Sequence, residues 1–466
     1  MNTPPAPEER VLPTLNKDGT RRKLRPVLST GRLLSARRIV AYLLLAAFTL
    51  IPYIHVGGHP LMLLDLQRRT FHIFGATFLP TDTILLMLLL VAIIVGVFLL
   101  TALFGRVWCG WACPQTVYLE FVYRPIERLF EGKSGNKASG GRRLGKLFVF
   151  LLLSGFLAHT FLAYFVGVEE LLKWVRRSPF EHPAGFLIVA GVTVAMMADF
   201  AWFREQTCLV ACPYGRLQSV LLDKQSLIVG YDYGRGEPRG KRRKAKEGQE
   251  QAPELGDCID CGLCVRTCPT GIDIRDGLQM ECVNCTQCID ACDTIMDRVG
   301  KPRGLIRFTS EDELAGKPKK LLRPRVVVYP AILAVVIGLF GMALARKGDI
   351  ELTVLRGIGA PFTLLDDGTV SNQLRIKIVN RSSKDERYSI ALLGADGKKL
   401  GDANFVVPQN PLPVAAGKRG VASAFVTAPR AFYRGGVRAV QIEVKGAGGI
   451  TARAKYRLLG PRGGGK

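Results

Sequence analysis

Five long apolar stretches punctuate this chain, with polar and mostly basic segments between them. They run Ile39–His55, Thr83–Phe104, Leu147–Val168, Ala184–Phe203 and Val326–Ala345. Each approaches the roughly 20 residues that a helix needs to cross a bilayer core. The first is the shortest and carries Pro52, a residue membrane helices tolerate. After Ala345 the pattern changes period. "QLRIKIVNRSS", "YSIALLGADGKKL", "ASAFVTAP" and "AVQIEVKG" alternate apolar and polar positions in short runs, split by Gly, Asn, Asp and Pro. That pattern predicts an antiparallel β-sandwich of immunoglobulin-like type. "GADGK" at Gly394–Lys398 reads as a hairpin turn.

The chain therefore reads as a multi-domain membrane protein. Residues 1–38 form a basic tail and 39–203 a four-helix membrane region. Residues 204–325 form a polar segment, 326–345 a fifth span and 346–466 the all-β domain. No small-residue cleavage site follows the first span, so it reads as a retained anchor.

Net charge is +25 over 466 residues. Its distribution points to a membrane, not to nucleic acid. The tail to Arg38 holds nine Lys/Arg, the loop 56–82 two, the segment 105–146 eight and the loop 169–183 three. Residues 204–325 are again strongly basic. This alternation follows the positive-inside rule. It predicts a cytoplasmic N-terminus and, after five spans, a C-terminal domain on the outer side of the membrane. "KRRKAK" at Lys241–Lys246 reads as a solvated loop near anionic lipid.

All twelve cysteines fall on the cytoplasmic side of that topology, and the all-β domain has none. Structural disulfides would be distributed the other way. Eight of them form "CIDCGLCVRTCPTG" (Cys258–Gly271) and "CVNCTQCIDACDT" (Cys282–Thr294), both C-x2-C-x2-C-x3-C. This is bacterial ferredoxin spacing, in which the fourth Cys of each run serves the other cluster. The expectation is an α+β ferredoxin module at about residues 250–300 with two [4Fe–4S] clusters. One would be held by Cys258, Cys261, Cys264 and Cys292, the other by Cys282, Cys285, Cys288 and Cys268. Gly262 suits a tightly wrapped loop. The second run ends Cys292-Asp293 where the first ends Cys268-Pro269. Structural zinc is the competing use of such thiols, but it usually takes separated pairs.

The remaining four cysteines form a repeated Cys-x-x-x-Cys-Pro. Cys109 and Cys113 follow the second span, Cys208 and Cys212 the fourth, as in a duplicated two-span unit. On a helix, residues four apart share a face, and Pro after the second Cys tends to end that helix. Trp108 and Trp111 fit an interfacial aromatic belt. Facing each other, the four thiols can form a third metal site for a cluster or copper, or a redox dithiol pair. Small packing residues at helix ends are the plainer alternative.

All five histidines fall outside or in the outer half of a span on this topology. His55, His59, His72 and His159 are candidate ligands for an outward copper or haem site, imidazole being suited to both; His182 completes the set. For any single histidine a tolerated polar residue in a wet loop is the favoured explanation; only as a set do they hint at such a site. Asp199, near the inner end of the fourth span, is expected to pair with Arg204, a place in a proton path being the alternative.

"LMLLDLQRRTFHIFGATFLPTDTILLMLLL", "TALFGRVWCGWACPQTVYLEFVYRPIERLFEG", "DGTRRKLRP" and "CLVACPYGRLQSVLLD", with the double ferredoxin run, fifth span and terminal β-domain in this order, resemble the cytochrome c oxidase accessory protein family CcoG (FixG/RdxA). The resemblance covers nearly the whole chain. It implies a membrane polyferredoxin and cupric-reductase-like oxidoreductase that reduces Cu(II) to Cu(I) for assembly of cbb3-type cytochrome c oxidase. Copper would be substrate or ligand. The implied partners are oxidase assembly factors, copper carriers, membrane lipid and a cytoplasmic electron donor. A quinone-linked respiratory electron-transfer component, from a related family sharing the Cys-x-x-x-Cys-Pro pair, is the alternative. A purely structural assembly factor is the third. No G-x-G-x-x-G fingerprint in a strand–helix context is present, which argues against a built-in nicotinamide site.

Overall fold

The computed structural model describes residues 14, 23–56, 59–66, 70–78, 82–132, 139–240, 255–318, 322–345, 348, 350–382, 384–446, 449 and 451–461. The Lys241–Lys246 run lies outside them. The chain divides into two compact units. One comprises most of the first 340 residues, the other mainly residues 341–466.

Among the described residues of the chain, five helices are long and apolar enough to cross a membrane: Arg32–Tyr53, Thr83–Phe104, Gly140–Val166, Pro183–Phe203 and Pro324–Ala345. Four begin before the apolar run does, the first and third by seven residues. The first starts at Arg32, so it includes three basic residues that the hydrophobic pattern assigns to the tail. Arg37 is buried within it and donates from Nε to the Gly110 carbonyl at 2.9 Å. The third starts at Gly140, and its buried Lys146 pairs with Glu131 at 2.5 Å. Partnered charges let a helix extend past its apolar core.

The second span stops at Gly105, whose φ of 57° is left-handed. A Cβ there would sit 2.1 Å from the Leu227 carbonyl oxygen, so only glycine fits. Arg204 occupies the matching place after the fourth span, with φ 56°. Each of these residues stands four before the first Cys of its motif, which extends the duplication into backbone conformation. A non-glycine residue here is strained. A buried pair offsets that: the Arg204 guanidinium meets Glu127 at 2.8 and 3.1 Å. The expected Asp199–Arg204 side-chain pair is therefore not formed. Asp199 instead accepts from Gln115 Nε2 at 3.1 Å and from Thr207 Oγ1.

The ferredoxin module sits in the same unit as the spans. Strands Ile228–Tyr231 and Ile306–Thr309 pair antiparallel around it. Its core combines Val229, Tyr231, Ile272, Ile274, Ile289, Met296 and Leu305 with the cysteines. The chain just before the first span is tied to it. Val27 N–H donates to the Arg266 carbonyl at 3.0 Å, and the Ser29 and Thr267 hydroxyls lie 2.7 Å apart. Gly31, the residue before the first helix, has no side chain to cap it. Asp290 of the helix Gln287–Arg298 supplies the cap instead, accepting from Leu33 N–H at 3.2 Å and Leu34 N–H at 2.7 Å.

The second unit is all β. One antiparallel sheet orders the strands Asn404–Val406, Arg419–Ala428, Val370–Asn380 and Ile350–Arg356, with Thr363–Leu364 alongside; the other orders Leu412–Val414, Glu386–Gly394, Val437–Gly446 and Thr451–Leu459. Val370–Asn380 alternates strictly, and its Leu374, Ile376 and Ile378 are fully enclosed in the core. Buried Asn372 links the sheets, donating to Tyr433 Oη at 3.0 Å and the Leu459 carbonyl at 2.9 Å. The expected turn forms at Gly394–Lys398, with Gly397 at φ 79°.

Candidate redox site

The two ferredoxin loops repeat one backbone conformation. Asp260 and Asn284 both have φ 51°, and Gly262 and Thr286 both have φ 62°. Each pair holds the same place within its Cys-x2-Cys-x2-Cys run. Each loop then enters a helix, Leu263–Arg266 or Gln287–Arg298. The first helix is short because Pro269 follows Cys268. The second continues through Cys292, where Asp293 replaces the proline and accepts from Gly304 N–H at 2.9 Å.

The eight cysteines gather around two cavities. Cys258, Cys261, Cys264 and Cys292 line one, closed by Tyr231, Ile259, Leu263, Ile295, Met296 and Ile306. Cys268, Cys282, Cys285 and Cys288 line the other, with Ile272, Ile274, Val229 and Val283. Cys264 borders both, so the cavities adjoin. The thiols line a space between them, the arrangement an iron–sulfur cube needs. Burial pushes Cys264, Cys285 and Cys292 up to about 12, and Cys282 to about 11; the Arg37 charge draws Cys285 back. Thiolates in so apolar a shell require a cationic centre, which is what iron supplies. The donor set fits the two clusters.

The Cys-x-x-x-Cys-Pro motifs differ from one continuous helical face. Cys109 lies in the short helix Val107–Trp111, while Cys113 is extended and precedes the helix Pro114–Tyr118. Cys208 and Cys212 repeat this ahead of Pro213–Leu221. In both copies the proline occupies the first position of a new helix, where its missing N–H costs nothing. The four thiols are neighbours. Burial pushes Cys109 and Cys208 up to about 12, and the adjoining thiols, Cys113 and Cys212 among them, add to the rise. Cys109 Sγ lies 3.2 Å from Gln218 Oε1, and Gln218 Nε2 donates to the Gly105 carbonyl at 3.0 Å.

The first motif is laid directly on the second ferredoxin loop. Gly110 packs so closely that a Cβ would stand 2.4 Å from the Val283 carbonyl oxygen and 2.9 Å from Asn284. Arg106 donates to the carbonyls of Met280 and Cys282 from one nitrogen, and to Gly215 at 3.0 Å from the other. It thus joins both motifs to the cluster loop. Arg37, Arg106 and Gln218 lie outside the motifs, Gly110 and Asp290 at variable positions within them, and no spacing rule singles out any of the five. An arginine close to the start of a long apolar run was the available signal for Arg37.

Among the described residues the histidines form no comparable group. His55 faces solvent and lies 3.1 Å from the Tyr53 carbonyl. His59 belongs to the strand His59–Pro60. His72 is buried opposite Leu63. His159 bonds the Gly155 carbonyl of its own helix at 2.7 Å, and His182 stacks on Trp174.

Three family models match. Residues 85–137 match a 4Fe-4S binding domain, residues 203–311 a 4Fe-4S dicluster domain, and residues 340–461 the IG-like fold at the C-terminal of FixG. Protein RdxA of Cereibacter sphaeroides is 32% identical, over 83% of this chain and 85% of its own. Protein RdxB of the same organism is 35% identical, over 71% and 72%. Nitrogen fixation protein FixG of Rhizobium meliloti is 31% identical, over 80% of each. With the duplicated Cys-x-x-x-Cys-Pro motif set against a dicluster module and an IG-like domain at the C-terminus, the chain belongs to the CcoG (FixG/RdxA) family of iron–sulfur electron-transfer proteins.

Proposed function

We propose that this protein is a membrane-bound cupric reductase that supplies Cu(I) for assembly of cbb3-type cytochrome c oxidase. Cys258, Cys261, Cys264 and Cys292 hold one [4Fe–4S] cluster; Cys268, Cys282, Cys285 and Cys288 hold the other. When bound, the clusters take up and release single electrons. Cys109, Cys113, Cys208 and Cys212 present thiol sulfur, a soft donor suited to Cu(I), where Cu(II) arrives as substrate. Each Cu(II) takes one electron and leaves as Cu(I).

The observation that carries this reading is the backbone contact between Gly110 and the Val283–Asn284 loop. It places the thiol motif against the loop bearing Cys282 and Cys285, and electron transfer falls off steeply with distance. Arg106 and Arg37 hold that contact from two sides. The basic loops support a cytoplasmic side for the module and thiols, from which the fifth span would carry the C-terminal β-domain to the periplasm. There it would dock assembly factors or copper carriers.

The test begins with anaerobically purified protein whose clusters have been reduced with dithionite and freed of excess. Cu(II) is added with a Cu(I)-specific chelator, and cluster reoxidation is followed optically. One Cu(I) per electron lost, abolished by Cys109→Ser with Cys113→Ser, is the expected result. Reduced clusters that ignore Cu(II) would remove the copper assignment.

A further inference from the structure

Beside the second thiol cavity lies a larger one that neither the clusters nor the thiol motifs use. Its volume is about 380 Å³, within the range of small-molecule sites. Val220, Leu222, Ile228, Leu278 and Met280 make it apolar, and Cys282 forms part of its wall. Cys282 also lines the cavity of the second cluster set. The two spaces therefore share a ligand residue.

Its position relative to the spans is equally specific. Arg106, two residues past the end of the second span, lines it, as does Asp223. Asp223 pairs with Arg323, the residue before the fifth long helix. The cavity thus lies at the level where two spans leave the bilayer. Val220, Leu278 and Met280 are exposed although apolar, 77%, 48% and 64% respectively. At that level such side chains meet lipid, so a lipid-soluble molecule can enter sideways. Arg106 and Lys224 add cationic donors, and Asp223 and Glu311 add carboxylates.

An apolar slot open toward lipid, with cationic donors and a cluster ligand in its wall, suits a planar two-electron carrier with carbonyl oxygens. We infer that this cavity binds the ring of an isoprenoid quinol, and that the quinol is the electron source of the protein. Oxidation of one quinol to quinone yields two electrons, one for each cluster. It also frees two protons, which leave past the exposed Glu311 to water. The inference names the donor for the reductase described above and rests on its two clusters, but not on copper as acceptor.

The experiment uses the cluster-loaded, full-length protein in detergent. An azido-naphthoquinone is photolysed with it, and labelled peptides are mapped. Separately, reduced naphthoquinol is added anaerobically and cluster absorbance is followed. Labelling confined to residues 220–228 and 278–284, with bleaching of the clusters, is expected. Met280→Trp and Val220→Trp, which fill the slot from two walls, should each lower labelling at least tenfold while retaining cluster absorbance. Labelling elsewhere, or undiminished labelling in both variants, would overturn the assignment. So would clusters that dithionite reduces but quinol does not, and that result would leave cupric reductase activity untouched. Clusters that quinol bleaches but Cu(II) cannot reoxidise would uphold the quinol site and remove copper.

Discussion

Replacing Asp290 with Ala should detach the first span from the ferredoxin module without emptying it. Its carboxylate accepts from two otherwise uncapped N–H groups, Leu33 at 3.2 Å and Leu34 at 2.7 Å. Loss of an N-cap costs about 1 kcal/mol. The charge facing a helix N-terminus adds up to about 1 kcal/mol more, since the site is buried. The expected loss is about 2 kcal/mol, which makes local opening about 30-fold more frequent. Asp290→Asn keeps an acceptor but loses the charge, so about half the effect should remain. Gly31→Ala attacks the contact from the other side: its Cβ would stand 2.2 Å from Asp290 Cγ. Hydrogen exchange of residues 31–38, measured on protein with full cluster absorbance, reads the opening directly. Unchanged exchange at Leu33 and Leu34 in both Asp290→Ala and Gly31→Ala would refute the cap.

Gly110→Ala should force the thiol motif away from Val283 by about 0.6 Å or more and cost about 1–3 kcal/mol as overpacking. Cu(II)-driven reoxidation should slow with cluster content intact; stopped-flow rates equal to the parent would show that this contact is not the route. Crossed ligation predicts that Cys292→Ser disturbs the same paramagnetic signal as Cys258→Ser, while Cys268→Ser disturbs that of Cys282→Ser; the reverse grouping in electron paramagnetic resonance would exclude it. Glu127 provides a pH test. Burial would raise its pKa, but Arg204 and Lys23 outweigh that and hold it at about 2, below the ordinary 4.5. A depressed carboxylate stabilises the fold above its unfolded pKa and loses that contribution as pH falls through the folded one. Thermal stability in detergent should therefore fall between about pH 4.5 and about 2, and Glu127→Gln should remove that part of the slope.

Much of this was legible because it depends on short-range pattern. Spans, strand alternation and cysteine spacing are properties of neighbouring residues. The apolar runs located five helices but misplaced the start of the first by seven residues, Ile39 against Arg32. Hydrophobicity alone cannot show that Arg37 finds the Gly110 carbonyl. The Asp199–Arg204 expectation failed for a related reason. Proximity in sequence suggested the pair, whereas folding brought Glu127 to Arg204 from 77 residues away.

The sequence by itself determined the sets: which thiols belong to the ferredoxin runs, which repeat as Cys-x-x-x-Cys-Pro, and which segment alternates as strands. Ligand spacing and side-chain period are written within a few residues, so they survive without the fold. Tertiary structure alone decided how the sets meet. Asp290 caps a helix whose Leu34 lies 256 residues earlier, Arg106 reaches Cys282 across 176 residues, and Gln218 reaches Cys109 across 109. Such contacts carry no local period, because they exist only once packing has closed the intervening chain.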